Sequence, residues 1–183
     1  GVFTEGDSDT TVYGNVSVLG TWTNVASADL VFADPPGGLG VPGAQTWTST
    51  ANVGEVVIDN TDTDLDEGTV VTLSGGAVAG TVTVTSNDEL DGGTGNVLNI
   101  SNFVMAGTYT EGTGDTQVDG TLNVTGTWTN NADTTAELRL DGTDQAWTAG
   151  TGLGEVLIEG AAGTVTLGAA TNVLTLDIGA GKI

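Results

Sequence analysis

Apolar residues recur at a fixed spacing of nine positions in the last part of this 183-residue chain. One series runs through Leu138, Trp147, Val156, Val165 and Leu174, and a second, two positions on, through Leu140, Ala149, Ile158, Leu167 and Leu176. Residues at i and i+2 share one face of a β-strand, and a fixed spacing stacks like residues in successive strands. The pattern favours a β-solenoid similar to a parallel β-helix, whose coils require such stacking. The alternative is an antiparallel β-sandwich or jelly roll with strand exchange, since short hairpins satisfy the same doublets.

The composition agrees with an all-β fold. The chain contains 30 glycines and is rich in Thr and Val; β-branched residues favour strands, whereas glycine interrupts helices. Hydrophobic residues make up 38% of the chain, which distinguishes it from acidic segments that stay disordered because they lack apolar side chains. We therefore expect a folded chain with essentially no helix.

A longer repeat accompanies the short spacing. Phe3–Gly6 recurs as Tyr109–Gly112, and Gly20–Asn24 recurs as Gly126–Asn130, in both cases 106 residues later. Self-similarity of this kind is the signature of a repeat architecture. The sequence therefore predicts two imperfect copies of one structural unit.

The first copy is longer than the second. Trp47 corresponds to Trp147, only 100 residues later, because the first copy carries an insertion around residues 34–38. A second insertion, at residues 61–67, lengthens the first copy again. Insertions between matched strands belong in surface loops, where changes in length cost little. We divide the chain into a first repeat at residues 1–106 and a second repeat at residues 107–183, which together form one continuous unit.

Several motifs resemble a known class of repeat proteins. The motifs are Thr-Trp-Thr-Asn, the turn at Asp141–Trp147, and the segment Gly163–Leu167. They are similar to the repeats of large bacterial and archaeal surface proteins of the parallel β-helix, adhesin-passenger kind, over most of the chain. The resemblance implies an extracellular, non-enzymatic scaffold and transfers no binding residues.

The charged residues exclude several functions. The chain has 24 acidic and 2 basic residues, no His and no Cys, for a net charge of −22. It therefore lacks the residues for a disulfide, a thiolate or imidazole zinc site, and a Ser-His-Asp triad. Because Arg139 and Lys182 are the only cations, nucleic acid and anionic membranes are excluded as partners, and no apolar stretch is long enough for membrane insertion. We expect no enzymatic activity, since Glu55 and Glu155 occupy equivalent positions in two copies rather than forming one catalytic pair.

One acidic loop is the candidate metal site. Its carboxylates are Asp59, Asp62, Asp64, Asp66 and Glu67. Calcium prefers several oxygen ligands on a flexible loop, although Gly68 comes one residue late for a calcium-loop consensus. Calcium is therefore a candidate ligand and no cofactor is required; the alternative is a solvated acidic loop.

Other side chains bear on an extracellular role. Asn15, Asn99 and Asn123 begin Asn-x-Ser/Thr triplets and are glycosylation candidates. The four tryptophans form two repeat-related pairs, which favours packing over stacking on sugar rings. Threonine ladders of the ice-binding kind are not expected, because nine positions before Thr164 stands Glu155.

The two ends of the chain predict self-assembly. Asn172–Ile178 matches the interior segment Asn96–Asn102, which continues into the counterpart of Phe3–Gly6. Placing the end of one molecule beside the start of another therefore rebuilds the internal junction between copies. A contact that repeats without closing produces a filament. The assembly candidates are Gly1, Val2, Phe3, Leu176, Ile178 and Ile183.

These observations lead to one expected function and one alternative. We expect a secreted structural subunit that assembles head to tail, with itself as partner, into a filament or surface layer. The alternative is an adhesin or virion-fibre module that binds carbohydrate or a host surface; a third reading is that the chain is part of a longer repeat protein. Assembly of so acidic a chain should require screening salt or bound divalent cations.

Overall fold

A computed structural model describes residues 1–25, 27–34, 44–59, 68–129, 136–142, 145–148, 153–159, 165–168 and 173–179. Within these ranges the chain forms β-strands and no helix, and therefore no helix that could cross a membrane. Every strand pairing is parallel, and the strands stack in about 7 turns. The fold is a β-solenoid, as the apolar doublets predict, and not an antiparallel sandwich.

Most strands are short because each covers a single side of a narrow coil, whereas the eight-residue strands Ala77–Val84 and Leu98–Met105 each cover two sides. In chain order they are β1 (Val2–Thr4), β2 (Thr10–Val12), β3 (Val16–Val18), β4 (Thr21–Thr23), β5 (Asp29–Phe32), β6 (Gln45–Ser49), β7 (Glu55–Ile58), β8 (Val70–Leu73), β9 (Ala77–Val84), β10 (Glu89–Asp91), β11 (Leu98–Met105), β12 (Thr108–Thr110), β13 (Thr116–Val118), β14 (Leu122–Val124), β15 (Thr127–Thr129), β16 (Glu137–Leu140), β17 (Gln145–Thr148), β18 (Leu153–Ile158), β19 (Val165–Leu167) and β20 (Val173–Ile178).

The coils have three sides, which we call faces A, B and C. Face A contains β2, β5, β7, the second halves of β9 and β11, β14, β17 and β19. Face B contains β3, β6, β8, β10, β12 and β15. Face C contains the first halves of β9 and β11, β13, β16, β18 and β20. β1 and β4 form a separate pair on the remaining side of the first two coils.

The nine-residue spacing corresponds to half a coil rather than to a full one. Leu138 pairs with Val156, 18 residues later, whereas Trp147 lies between them on face A instead of face C. The expectation that each ninth residue stacks on the last is therefore wrong. The register also shifts by two positions further on, because Val156 pairs with Leu176 and not with Leu174. The chain must cross a second face before it returns to the first, and the sequence spacing does not show this crossing.

The core consists of inward-facing columns that run along the solenoid axis. The fully buried column on face A continues through Leu30, Val56, Val82, Phe103 and Leu122, which are paired coil by coil. Close packing of this kind makes each inward residue depend on the coils before and after it. A coil with no neighbour on one side must leave its inward residues uncovered.

The duplicated segments adopt the same local structure on different faces. Phe3 pairs with Trp22 in β1 and β4, and Tyr109 pairs with Trp128 in β12 and β15. However, β2 and β5 lie in face A, whereas their sequence counterparts β13 and β16 lie in face C. The second copy is therefore rotated by one face relative to the first, because the first copy does not span a whole number of coils.

Candidate functional site

The first coil has free strand edges. Among the residues that the structure describes, β1 pairs only with β4, β2 only with β5, and β3 only with β6. The outer edge of each strand carries backbone N–H and C=O groups that no other described strand engages. Such edges are templates for the addition of further strands.

Apolar side chains are exposed at this end. Phe3 is 44% exposed, whereas its counterpart Tyr109 is 1% exposed. The difference arises because Leu90 in β10 covers Tyr109 in register, and no described coil precedes Phe3. Tyr13 and Leu19 are also exposed beside this edge.

A depression of about 550 Å³ opens between β1, β3 and β4. Its lining includes Phe3, Val16, Leu19 and Trp22, and the Phe3 and Trp22 rings lie 4.3 Å apart. Val16 and Trp22 also pack against the main core. The depression is therefore the open mouth of the solenoid core.

The C-terminal coil is open in the same way. Among the described strands, β20 pairs only with β18. Leu176 continues the column that contains the fully buried Val156, yet it is 46% exposed; Ile178 continues the column of Ile158 and is 39% exposed. These two residues occupy core positions in a coil that no other described strand covers on its outer side.

The predicted assembly residues lie at these two ends. Val2, Phe3, Leu176 and Ile178 are all exposed apolar side chains of the end coils. Gly1 is adjacent, with its carbonyl accepting a hydrogen bond from the Thr21 N–H at 3.0 Å. Ile183 lies outside the described residues.

Sequence reasoning missed two exposed residues of the first coil. Leu19 follows β3 at the turn into β4, and Tyr13 follows β2. An apolar residue directly beside a glycine, as in Leu19-Gly20 and Tyr13-Gly14, was the available signal. This signal identifies an exposed residue only when the order of the coils is known.

Charge is arranged in rows along the outer surface. The Arg139 guanidinium contacts Glu137 at 2.7 Å, Asp115 at 3.1 Å and Glu159 at 3.3 Å, and so joins carboxylates from neighbouring coils. Partial burial acts to lower the pKa of Arg139, but these carboxylates raise it above its usual range. Lys182, the other cation of the chain, lies outside the described residues.

An acidic row lies at one edge of face A. The Asp29 N–H donates to Asp9 Oδ1 at 3.1 Å, and Asp29 pairs with Glu55 in the next coil. Burial and the Asp9 charge raise the pKa of Asp29, and burial and the Asp29 charge raise that of Glu55. Glu155, the sequence counterpart of Glu55, lies on face C. Stacked carboxylates of this kind make the fold and any assembly sensitive to salt.

The candidate calcium loop is described at one residue only. Asp59 Oδ1 accepts a hydrogen bond from the Thr85 hydroxyl at 3.0 Å, and Asp62, Asp64, Asp66 and Glu67 lie outside the described residues. The part of the chain that the structure describes contains no group of three acidic, His or Cys side chains able to hold a metal ion. Calcium binding remains a prediction.

The three glycosylation candidates have different surroundings. Asn15 lies between β2 and β3, and its Oδ1 accepts a hydrogen bond from the Thr46 N–H at 2.9 Å. Asn99 lies within β11 and Asn123 within β14, each between paired strands of neighbouring coils. Glycans attach most readily in surface loops, so Asn15 has the most suitable position.

The tryptophans serve mainly in packing. Trp47, Trp128 and Trp147 are buried, which confirms the packing interpretation for these three, and Trp22 is half-buried at the open end.

A column of threonines lies on face B and contains Thr72, Thr110 and Thr129. Its members are one or more whole coils apart rather than nine residues apart. Asp91 lies between Thr72 and Thr110 and interrupts the column.

Comparison with known proteins gives no match: no protein-family model, curated protein or solved structure shows significant similarity to this chain. The functional proposal therefore depends on the geometry of the open ends.

Proposed function

We propose that the protein is an extracellular structural subunit that assembles head to tail into a filament or surface layer. In this assembly the last coil of one copy stacks on the first coil of the next. The observation that supports the proposal is the pair of open solenoid ends, each with free strand edges among the described residues and exposed side chains at core positions. The extracellular setting rests on the sequence resemblance to surface proteins.

The physical reason for assembly is the cost of uncovered core. Fully covering one large apolar side chain stabilises a structure by about 1.5 to 3 kcal/mol. Phe3 and Leu19 at one end, and Leu176 and Ile178 at the other, are all exposed. Repeat proteins ordinarily shield their last coils with polar capping units. A second copy would cover the apolar side chains and engage the strand edges in one contact.

Electrostatic repulsion sets the condition for assembly. Each copy carries a net charge of −22, and charges on neighbouring copies repel over about 30 Å at 0.01 M salt but about 8 Å at 0.15 M. Assembly should therefore be weak at low ionic strength and become favourable as salt or divalent cations are added.

Sedimentation velocity over a salt series tests the proposal. Leu19→Glu places a charge at the open end and should prevent assembly at every salt concentration. Val97→Glu makes the same change at an exposed valine in the middle of the solenoid, and this control should assemble like the wild type. A wild-type chain that stays monomeric with added NaCl and with Ca²⁺ would overturn the proposal.

The alternative function is carbohydrate binding by an adhesin. The depression that Phe3 and Trp22 line supports it, because sugar rings stack on exposed aromatic faces. A glycan array with wild type and Trp22→Ala distinguishes the two proposals. Selective binding that Trp22→Ala abolishes without loss of folding would favour the adhesin.

A further inference from the structure

The junction between copies already has a counterpart inside the chain. The first half of β11 precedes the second sequence repeat, and it pairs in parallel with β13 of that repeat. In this pairing Asn99 lies opposite Gln117 on the outer surface, and Ile100 lies opposite Val118 in the core. The structure therefore shows how the end of one repeat unit receives the beginning of the next.

The last strand of the chain is the counterpart of β11. Residues 172–178 match residues 96–102, so that Thr175 corresponds to Asn99 and Leu176 to Ile100. β20 also lies on face C, as the first half of β11 does. Leu176 is exposed only because no further strand lies beside it among the described residues.

The second strand of the chain is the counterpart of β13. Residues 10–12 match residues 116–118, so that Thr11 corresponds to Gln117 and Val12 to Val118. Val118 is fully buried, whereas Val12 packs against the core from one side and is partly exposed. The edge of β2 that faces away from β5 is free among the described strands.

We infer that β20 of one copy pairs in parallel with β2 of the next, with Leu176 opposite Val12 in the core and Thr175 opposite Thr11 outside. This inference rests on the proposed function and specifies the contact. Because β20 lies in face C and β2 in face A, each copy is rotated by one face relative to the copy before it. The same rotation relates the two repeats within the chain.

The chemistry of the two edges suits this pairing. β2 contains no charged residue, and Thr11 and Thr175 are neutral and exposed. The join therefore covers Leu176 and Val12 without placing a carboxylate in the core. Asp177, the one acidic residue of the two strands, is exposed on the outside of β20, where salt can screen its repulsion in a chain of charge −22.

Disulfide trapping tests the register directly, since the chain contains no cysteine. Neighbouring strands lie about 4.8 Å apart, so opposing Cα atoms are at a separation that a disulfide allows. Three double variants combine Thr175→Cys with Thr11→Cys, with Val2→Cys or with Ser17→Cys, and each reports one of the three possible rotations. Every substitution is at an exposed position.

The proteins are oxidised under assembling salt and separated on a denaturing gel without reductant. Thr175→Cys with Thr11→Cys should give a ladder of covalent oligomers, and the other two pairs should remain mainly monomeric. Mixing the single variants Thr175→Cys and Thr11→Cys should give dimers and nothing larger.

The outcomes separate the two proposals. A ladder from Val2→Cys or Ser17→Cys, or filaments with no ladder in any pair, would overturn the register and leave head-to-tail assembly intact. Absence of assembly in the wild type and all reduced variants would overturn both.

Discussion

Phe3 and Tyr109 occupy equivalent positions in the two repeats but have opposite surroundings. Tyr109 is buried, with its ring 5.3 Å from Phe103 and 4.6 Å from Trp128. Phe3 is 44% exposed and stacks against Trp22 at the open end. Replacing each by Ala therefore compares a covered aromatic with an uncovered one.

The structure gives the size of the two effects. Tyr109→Ala removes a buried ring and should lower the unfolding free energy by about 3 to 5 kcal/mol. It also leaves the buried Thr116 hydroxyl without its partner at 2.6 Å, which adds about 1 to 3 kcal/mol. Phe3→Ala removes a ring that is nearly half exposed, so its cost in the monomer is at most about 2 kcal/mol.

Urea unfolding at low salt measures both values in the monomer, provided that the m-value is unchanged. At assembling salt, Phe3→Ala should also raise the critical concentration by about 5-fold, because covering the exposed 44% of this side chain in the contact contributes about 1 kcal/mol. Equal destabilisation by the two substitutions, or an unchanged critical concentration for Phe3→Ala, would refute the reasoning.

Three further predictions concern charge, pH and backbone geometry. Arg139→Gln should lower the unfolding free energy by about 1 kcal/mol at low salt and by less at 1 M NaCl; a loss that does not depend on salt would contradict the ion-pair account. Burial, and then a neighbouring carboxylate, raise the pKa values of Asp29 and Glu55 above 3.8 and 4.5, so the folded state binds these protons more tightly. The stability that these two protonated carboxyls contribute should be greatest below pH 3.8 and be lost as the pH rises through the folded pKa values. The double variant Asp29→Asn with Glu55→Gln should therefore flatten the dependence of the urea midpoint on pH. An unaltered slope would contradict the role of these two carboxyls. Gly54→Ala should lower the unfolding free energy by about 1 to 2 kcal/mol, because Gly54 has a φ of 80°. The loss should exceed that of Gly95→Ala, since a Cβ at Gly54 meets a neighbouring side chain at 2.9 Å and one at Gly95 meets nothing within 4 Å. Equal losses in urea unfolding would show that crowding at Gly54 is unimportant.

The solenoid could be predicted from the sequence because stacking imposes a local pattern. Doublets such as Leu138 with Leu140 indicate strands with one buried face, and that pattern depends only on neighbouring residues. The coil length could not be derived from the spacing of the doublets. A spacing of nine residues fits a nine-residue coil with one apolar side as well as an 18-residue coil with two apolar sides. Only the pairing of Leu138 with Val156 distinguishes these possibilities.

The open ends were predicted in part. Val2, Phe3, Leu176 and Ile178 follow from the match between the chain ends and the interior junction, and all four are exposed. Leu19 could not be identified in this way, because its exposure depends on which coil lies beside it. The rotation between the two repeats was also hidden, since sequence matching reports which strands correspond but not which face they occupy.

Negative-stain electron microscopy of the wild-type chain in a salt series tests head-to-tail assembly most directly. We predict unbranched fibres one solenoid wide that lengthen as NaCl or Ca²⁺ is added. Face A stacks eight described strands in each copy, and the pairing of β20 with β2 adds a further two thirds of a coil. At ~4.8 Å between coils, the axial rise per copy should therefore be roughly 42 Å. Single particles of monomer size under every salt and cation condition would contradict the account.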